Sequence, residues 1–414
     1  NGSTSVTSGK NVYLQSAQLE QGLAATSVIT TGGGTVQAGL LENTPRLDYS
    51  GGATCPSLLL EPSRSNLVTQ SEYLGSLTPE RVTITSNADT SPEGVVNATS
   101  FVEDSTTGRH RTSFYGSVTS GTTYAFSMFA KIKSGTRLLC INNLATIGAR
   151  AYFDLVNGDV ESIDGGSASI EDYGNGWYRC SVTATSSITG NATTYFGLED
   201  GTADNGYTGD GTSGHYWYGL QLEAGGYPTS YIPTYGTSQT RAGDLYENKN
   251  INNFINTANG FSFYYEISNF SQTDSSFSDY FSFKASDSNS PNIRCELRTD
   301  GSAGIFATGI TGWDTINLPN WTTSGESTQK LLIVITNNSQ KAYLNGIEGL
   351  DSSAASIVLP TFQQLVTENF FGQAALMKFS VNQAILFPTA LSDLDARILT
   401  GATTYETFDE MALA

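Results

Sequence analysis

The chain has 414 residues, too many for a single hydrophobic core and suited to two or three domains of ordinary size. Its 20 Lys and Arg stand against 39 Asp and Glu, a net charge of −19, so a polyanion such as DNA is repelled over most of the surface and nucleic-acid binding is excluded as a main function. With 43 Gly, 21 Tyr, 20 Phe and only 14% charged residues, the composition describes many short strands joined by tight turns, and no run approaches the ~18 apolar residues that membrane insertion requires.

The first residues, Asn1 to Lys10, lack the charged-then-apolar layout of a signal peptide. The segment Tyr13 to Thr31 then aligns without gaps on Tyr216 to Thr234, matching at about half of the positions: Gln18, Leu19, Glu20 and Gly22 fall on Gln221, Leu222, Glu223 and Gly225. In the second copy this segment closes a domain, whereas in the first only about a dozen polar residues precede it. Either the chain starts inside a longer polypeptide or the orphan strand pairs with a sheet edge of its own or a neighbouring subunit. Both readings place residues 12–20 in a sheet.

Residues 1–40 are thus read as the terminal strand of a preceding repeat plus a linker, and 41–72 as a turn-rich connector punctuated by Pro45, Gly51, Gly52, Pro56 and Pro62. Residues 73–240 form one domain whose strands alternate cleanly at Tyr124 to Ala130, Ala151 to Leu155 and Trp177 to Val182. Asn157-Gly158 marks a hairpin between two of them. Residues 241–414 form a second domain, with strands at Phe261 to Glu266, Tyr280 to Phe283, Asn292 to Leu297, Lys330 to Ile335 and Lys341 to Leu344. Asn345-Gly346 is a hairpin signal, and the unbroken apolar run Leu331 to Ile335 predicts a strand buried on both faces. One short helix follows, capped by Ser392 with Asp395 three residues on and an apolar face of Leu394, Ile398 and Leu399.

These segments resemble the layout of phage tail and virion proteins. The middle domain is similar to a phage carbohydrate-binding jelly roll through Pro45 to Tyr49, Leu58 to Leu67, Gly174 to Cys180, Gly209 to Gly214, Gln221 to Glu223, Thr229 to Tyr235 and Thr240 to Asp244. The last domain resembles laminin-G and concanavalin-A-like lectin sandwiches through Tyr343 to Gly346 and Leu386 to Asp393. The expected fold is all-β, with tandem antiparallel β-sandwiches (a jelly roll followed by a concanavalin-A-like sandwich) and one short C-terminal helix. The resemblance implies sugar binding and host attachment by a virion or extracellular component, in the company of other virion proteins and as a homo-oligomer. Cys55, Cys140, Cys180 and Cys295 show no CxxC spacing and are expected as buried thiols.

Sugar recognition needs aromatic faces to stack on pyranose C–H surfaces and planar polar groups to hold hydroxyls. In the last strand of the middle domain, strict alternation puts His215, Trp217, Gly219, Gln221 and Glu223 on one face and Tyr216, Tyr218, Leu220 and Leu222 on the other. The first set is read as a glycan groove and the second as core. Arg111, within Arg109-His110-Arg111, could form the opposite rim, and Trp177, Trp313 and Trp321 are further candidate contacts, each with a packing role as its alternative. Asp200, Asp204 and Asp210 lie in a glycine-rich loop that could wrap a structural calcium, although it lacks EF-hand spacing. No cofactor is required. With two histidines and no Ser/His/Asp pattern the chain reads as non-catalytic. The rivals are a polysaccharide depolymerase, either a glycoside hydrolase or a lyase built from His215, Tyr216 and Arg111, and a purely structural virion protein.

Overall fold

A computed structural model describes residues 46–49, 56–143, 148–201, 206–255, 257, 260–271, 278–286, 290–297, 302–318, 328–349, 356–367 and 378–401. The expected strand at 12–20, together with Cys55, Asp204 and Trp321, lies outside these residues. The chain divides into two compact units, and each is an antiparallel β-sandwich.

The first unit contains residues 66–223 and 231–239. One sheet has five strands in the order Asp159–Asp164, Arg150–Asp154, Leu138–Asn142, Gly190–Glu199 and His110–Val118. The other has six, in the order Ser167–Asp172, Tyr178–Thr185, Thr123–Ser134, Gly214–Ala224, Val96–Glu103 and Val82–Thr90. Each sheet mixes consecutive hairpin neighbours with neighbours distant in sequence, as in a jelly roll. Between the sheets lies a core of Phe101, Phe126, Phe153, Phe196, Trp217, Leu220 and Leu222, supplied by the inward phase of each strand. Asn66 brackets the closing strand: its Nδ2 donates to the carbonyls of Leu220 (3.0 Å) and Ile232 (2.8 Å), and its Oδ1 accepts from the amides of Val68 and Leu222.

The hairpin expected at Asn157-Gly158 joins Arg150–Asp154 to Asp159–Asp164, but through a four-residue loop closed by the Gly158 amide on the Asp154 carbonyl at 2.8 Å. Only Gly158 takes positive φ (78°).

In the second unit a seven-stranded sheet runs Arg46–Asp48, Ser57–Leu60, Lys378–Phe387, Phe261–Ser271, Gln329–Ile335, Gln340–Leu344 and Ile347–Glu348, against a six-stranded sheet. Leu331, Ile333 and Ile335 face the main core while Leu332 and Val334 face a smaller cluster outside, so this central strand is buried on both sides as its sequence predicts. Asn345 (φ 50°) and Gly346 (φ 85°) close a two-residue hairpin.

Two expectations need correction here. Part of the expected connector is sheet: Arg46–Asp48 and Ser57–Leu60 pair at the edge of the seven-stranded sheet, with Leu58 opposite Val381 and Leu60 opposite Phe379. The first unit is therefore inserted in the sequence of the second. The motif residues around this insertion are held by charge. Glu61, fully buried, accepts from Arg46 Nη1 (2.7 Å) and the Ser230 amide (3.0 Å) and meets Arg241 at 3.2 Å, while its own amide donates to Asp244. Burial would raise the Glu61 carboxyl, but the two arginines and Lys378 hold it below the ordinary value.

The helix Asp393–Thr400 is capped as expected, with Ser392 Oγ accepting the Asp395 amide at 3.1 Å. Its docking face differs from the expected one. Ala396 and Thr400 are buried, while Ile398 (43%) and Leu399 (38%) are exposed, because the small Ala396 is what fits against Tyr264, Leu332, Val334 and Tyr343. Cys140, Cys180 and Cys295 are buried and form no disulfide.

Candidate functional site

The expected groove along Gly214–Ala224 does not form. Trp217 is 0% exposed, stacked on Phe101 at 4.0 Å between ring centroids and 5.2 Å from Phe196. His215 is equally buried, its Nε2 hydrogen-bonding the Arg137 carbonyl at 2.8 Å, and burial pulls its pKa down to about 4. The physical reason for the error lies at Gly219, which takes φ +62° and marks the point where the alternation shifts by one. Before it His215 and Trp217 point inward, and after it Leu220 and Leu222 do. Gln221 and Glu223 are also sealed, with Gln221 Nε2 donating to Glu223 Oε1 and Gln221 Oε1 accepting the Ile232 amide, both at 2.7 Å.

The other candidates scatter. Trp177 is 3% exposed and donates its Nε1 to the Thr90 carbonyl at 3.1 Å. Trp313 is half-buried against the core of the second unit. His110, between two arginines in sequence, is fully buried beside Tyr207. The lyase set His215, Tyr216 and Arg111 is not brought together: His215 faces the core, Tyr216 lies outside the six-stranded sheet and Arg111 outside the five-stranded one.

Asp200 and Asp210 are exposed, and Asp210 is occupied in closing its own turn. It accepts the Thr212 and Ser213 amides at 2.7 Å and the Ser213 hydroxyl at 2.6 Å, and these bonds hold its carboxyl far below the usual range. Among the described residues no three His, Cys, Asp or Glu side chains gather in a metal-holding group.

Of the expected contacts among the described residues, Arg111 stands on an open platform, the outer face of the five-stranded sheet. Three strands there each carry a Phe–Tyr neighbour pair, Phe114-Tyr115, Tyr152-Phe153 and Tyr195-Phe196. In every pair alternation sends the Phe into the core and the Tyr outward. This repeated pairing is the signal that could have found the face from sequence.

The pairing register places the side chains. One cross-strand row runs Tyr152, Cys140, Gly197, Arg111, and the next runs Asp164, Arg150, Asn142, Tyr195, Ser113. Tyr115 lies opposite Thr193, one row further. Tyr152, Tyr195 and Tyr115 therefore form a diagonal of about 20 Å across the sheet at ordinary strand spacings. Arg150 stands on one side of that diagonal and Arg111 on the other.

Arg111 lies with its guanidinium carbon 4.0 Å from the Tyr195 ring centroid, and its Nε donates to Glu80 at 2.8 Å. Gly197 makes that crossing possible, since a Cβ there would come within 2.6 Å of the Arg111 Cβ. Across the sheet Arg150 pairs with Asp164 at 2.9 Å and lies 5.8 Å from the Tyr152 ring. Tyr115 is 69% exposed. Burial tends to raise the Glu80 carboxyl, but hydrogen bonding and charge from Arg111 hold it below its ordinary value.

No protein-family model and no curated protein matches the sequence. Solved structures show distant likeness. A Trypanosoma rangeli sialidase aligns over 74% of this chain and 61% of its own, at 8% identity and TM-score 0.30. Mouse laminin α1 domains LG4-5 align over 73% and 90%, at 10% identity and TM-score 0.23. The N-terminal CBM22 tandem domain of Paenibacillus barcinonensis Xyn10C aligns over 83% and 100%, at 10% identity and TM-score 0.23. The chain spans 22% to 61% of the length of the sialidase chains it matches. All of these TM-scores lie below 0.5, and none assigns a function.

Proposed function

We propose that the chain is a non-catalytic carbohydrate-binding protein and that the outer face of its five-stranded sheet receives the sugar. The observation that carries this reading is the diagonal of Tyr152, Tyr195 and Tyr115, with Arg150, Asn142 and Arg111 beside it. Flat rings offer their faces or edges to pyranose C–H groups, and the amide and guanidinium groups are planar donors at the spacing of hydroxyls. A ladder of hydrogen-bonded strands holds these groups in place before the ligand arrives, so little ordering entropy is lost on binding. A diagonal of about 20 Å exceeds a single sugar and suits a polysaccharide chain.

The resemblance of the sequence motifs to phage tail proteins supports a biological setting for this reading: a tail, fibre or capsid-decoration component of a virion that attaches to host-surface polysaccharide, assembled as a homo-oligomer with other virion proteins. The test is retention of the protein on immobilised polysaccharides, with Tyr195→Ala and Tyr115→Ala as variants. Wild-type retention that both variants weaken is the expected result. Retention unchanged in both variants, or release of new reducing ends or unsaturated uronate from the polymer, overturns the reading.

A further inference from the structure

In a chain where carboxylates outnumber basic residues by 39 to 20, Asp154 shares this face two residues from Tyr152 but is tied into its own turn by the Val156 and Asn157 amides, and two arginines flank the tyrosine diagonal. Their carboxylate partners sit at the two edges of the sheet. Glu80 bridges to the edge strand His110–Val118, and Asp164 is on the opposite edge strand. Both partners are open to water, with side chains 42% and 57% exposed. The arginine halves are 19% and 22% exposed, and the water around each carboxylate weakens the pair and eases its exchange for another anion. Arg111 spends only its Nε on Glu80, and its two terminal nitrogens have no acceptor among the described residues. Stacking on Tyr195 fixes the plane of that fork.

From this arrangement, and resting on the carbohydrate reading above, we infer that the face selects an acidic polysaccharide, with Arg111 and Arg150 taking carboxylate or sulfate groups from opposite sides of the bound chain. A planar guanidinium matches both anions with two parallel hydrogen bonds, which a neutral hydroxyl cannot supply. The acidity of the whole chain does not forbid this. Repulsion from distant carboxylates is screened beyond about 8 Å at physiological salt. DNA presents a charge every ~1.7 Å of its axis, a far denser array than one anion on a sugar unit.

The experiment compares paired polymers: polygalacturonate and alginate beside their carboxyl-reduced forms, and a sulfated fucan beside its desulfated form. The expected result is that at least one acidic member is retained about tenfold more strongly than its neutral twin, as losing one charge-assisted contact implies. Arg111→Gln and Arg150→Gln should each weaken that preference and the double variant should abolish it with the fold intact by circular dichroism, while Glu80→Gln, by releasing the guanidinium, should strengthen acidic binding. Equal binding of both members of every pair, or a preference that survives undiminished in the double variant, overturns the inference and leaves the carbohydrate reading standing. Failure to retain any polymer, acidic or neutral, removes the carbohydrate reading and this inference with it.

Discussion

The first sandwich has two outer faces, both rich in aromatic residues, and among the described residues one is covered and the other open. Outside the six-stranded sheet, Phe129, Trp177 and Tyr218 are 4%, 3% and 1% exposed. Tyr231, from the segment that follows the closing strand, packs edge-on to Phe129 and Tyr218 and shares a 2.7 Å hydrogen bond with Ser71. Thr234 anchors the same segment through its hydroxyl on the Val68 carbonyl at 2.6 Å. Outside the five-stranded sheet no described segment roofs Tyr115, which is 69% exposed. Aromatic content along a strand therefore does not distinguish a binding face from a packed one. What decides is whether a later piece of chain, with its own hydrogen bonds, lies over the rings.

The strongest test of this contrast is Trp217→Ala. The indole fills the inside of the sandwich against Phe101 and Phe196, so truncation leaves a cavity and should cost about 4 kcal/mol in denaturant unfolding. The fraction that remains folded should bind polysaccharide as the wild type does. Lost binding at full stability would reverse the assignment of inside and outside.

The pH dependence tests the inner and covered sides against each other. His215, on the inner side, has its pKa lowered to about 4 from an unfolded value near 6.5. Its contribution is fully present above pH 6.5 and is lost as pH falls toward 4. Glu72, beneath Tyr235 on the covered side, is raised to about 7 by burial and by the charge of Glu93. Its contribution is present below pH 4.5 and is lost as pH rises through 7. Between pH 4.5 and 6.5 the two oppose each other, each worth about 3 kcal/mol at 1.36 kcal/mol per unit. Glu72→Gln should therefore make the unit more acid-sensitive across that window, and His215→Gln should make it more stable as pH falls. Parallel pH profiles for the two variants would show that neither group titrates as its surroundings require.

How far the sequence reaches can be seen at particular residues. The two-sided strand Leu331 to Ile335, the Asn345-Gly346 turn and the Ser392 cap were legible because each depends on local chemistry alone. The groove at Trp217 was misplaced because strict alternation ignores a single residue: Gly219, at φ +62°, resets the phase, and nothing in a glycine's neighbours announces that. The edge strands Arg46–Asp48 and Ser57–Leu60 were hidden by proline and glycine on either side, and the strand on which Ser57–Leu60 pairs lies over 300 residues away in sequence. Within the candidate face Arg111 was read from its charge. Tyr115, Tyr152 and Tyr195 were missed because each looks like an ordinary strand residue until sheet order brings the three together.

A milder perturbation probes the roof. Tyr231→Phe removes the hydroxyl shared with Ser71 and keeps the ring against Phe129 and Tyr218, so the loss should be about 1 kcal/mol. Carbohydrate binding should not change. If the variant gains a second class of polysaccharide sites, the covered aromatics are a latent binding face and the contrast drawn above is one of degree.

The smallest effect on stability is expected where the effect on binding is largest. Tyr115 projects from the edge strand of the open face with no side-chain hydrogen bond among the described residues, and Tyr115→Ala should change unfolding free energy by no more than about 0.5 kcal/mol. Polysaccharide affinity should fall about tenfold, the loss of one aromatic contact worth about 1.4 kcal/mol. Trp217→Ala does the reverse, a large loss of stability with binding intact. The two variants thus form a double dissociation between a ring that builds the sheet and a ring that uses it. Titration calorimetry beside denaturant unfolding reads both quantities on the same protein. If Tyr115→Ala left affinity untouched, the ligand would have to lie along Tyr152 and Tyr195 alone, shortening the diagonal by about 8 Å.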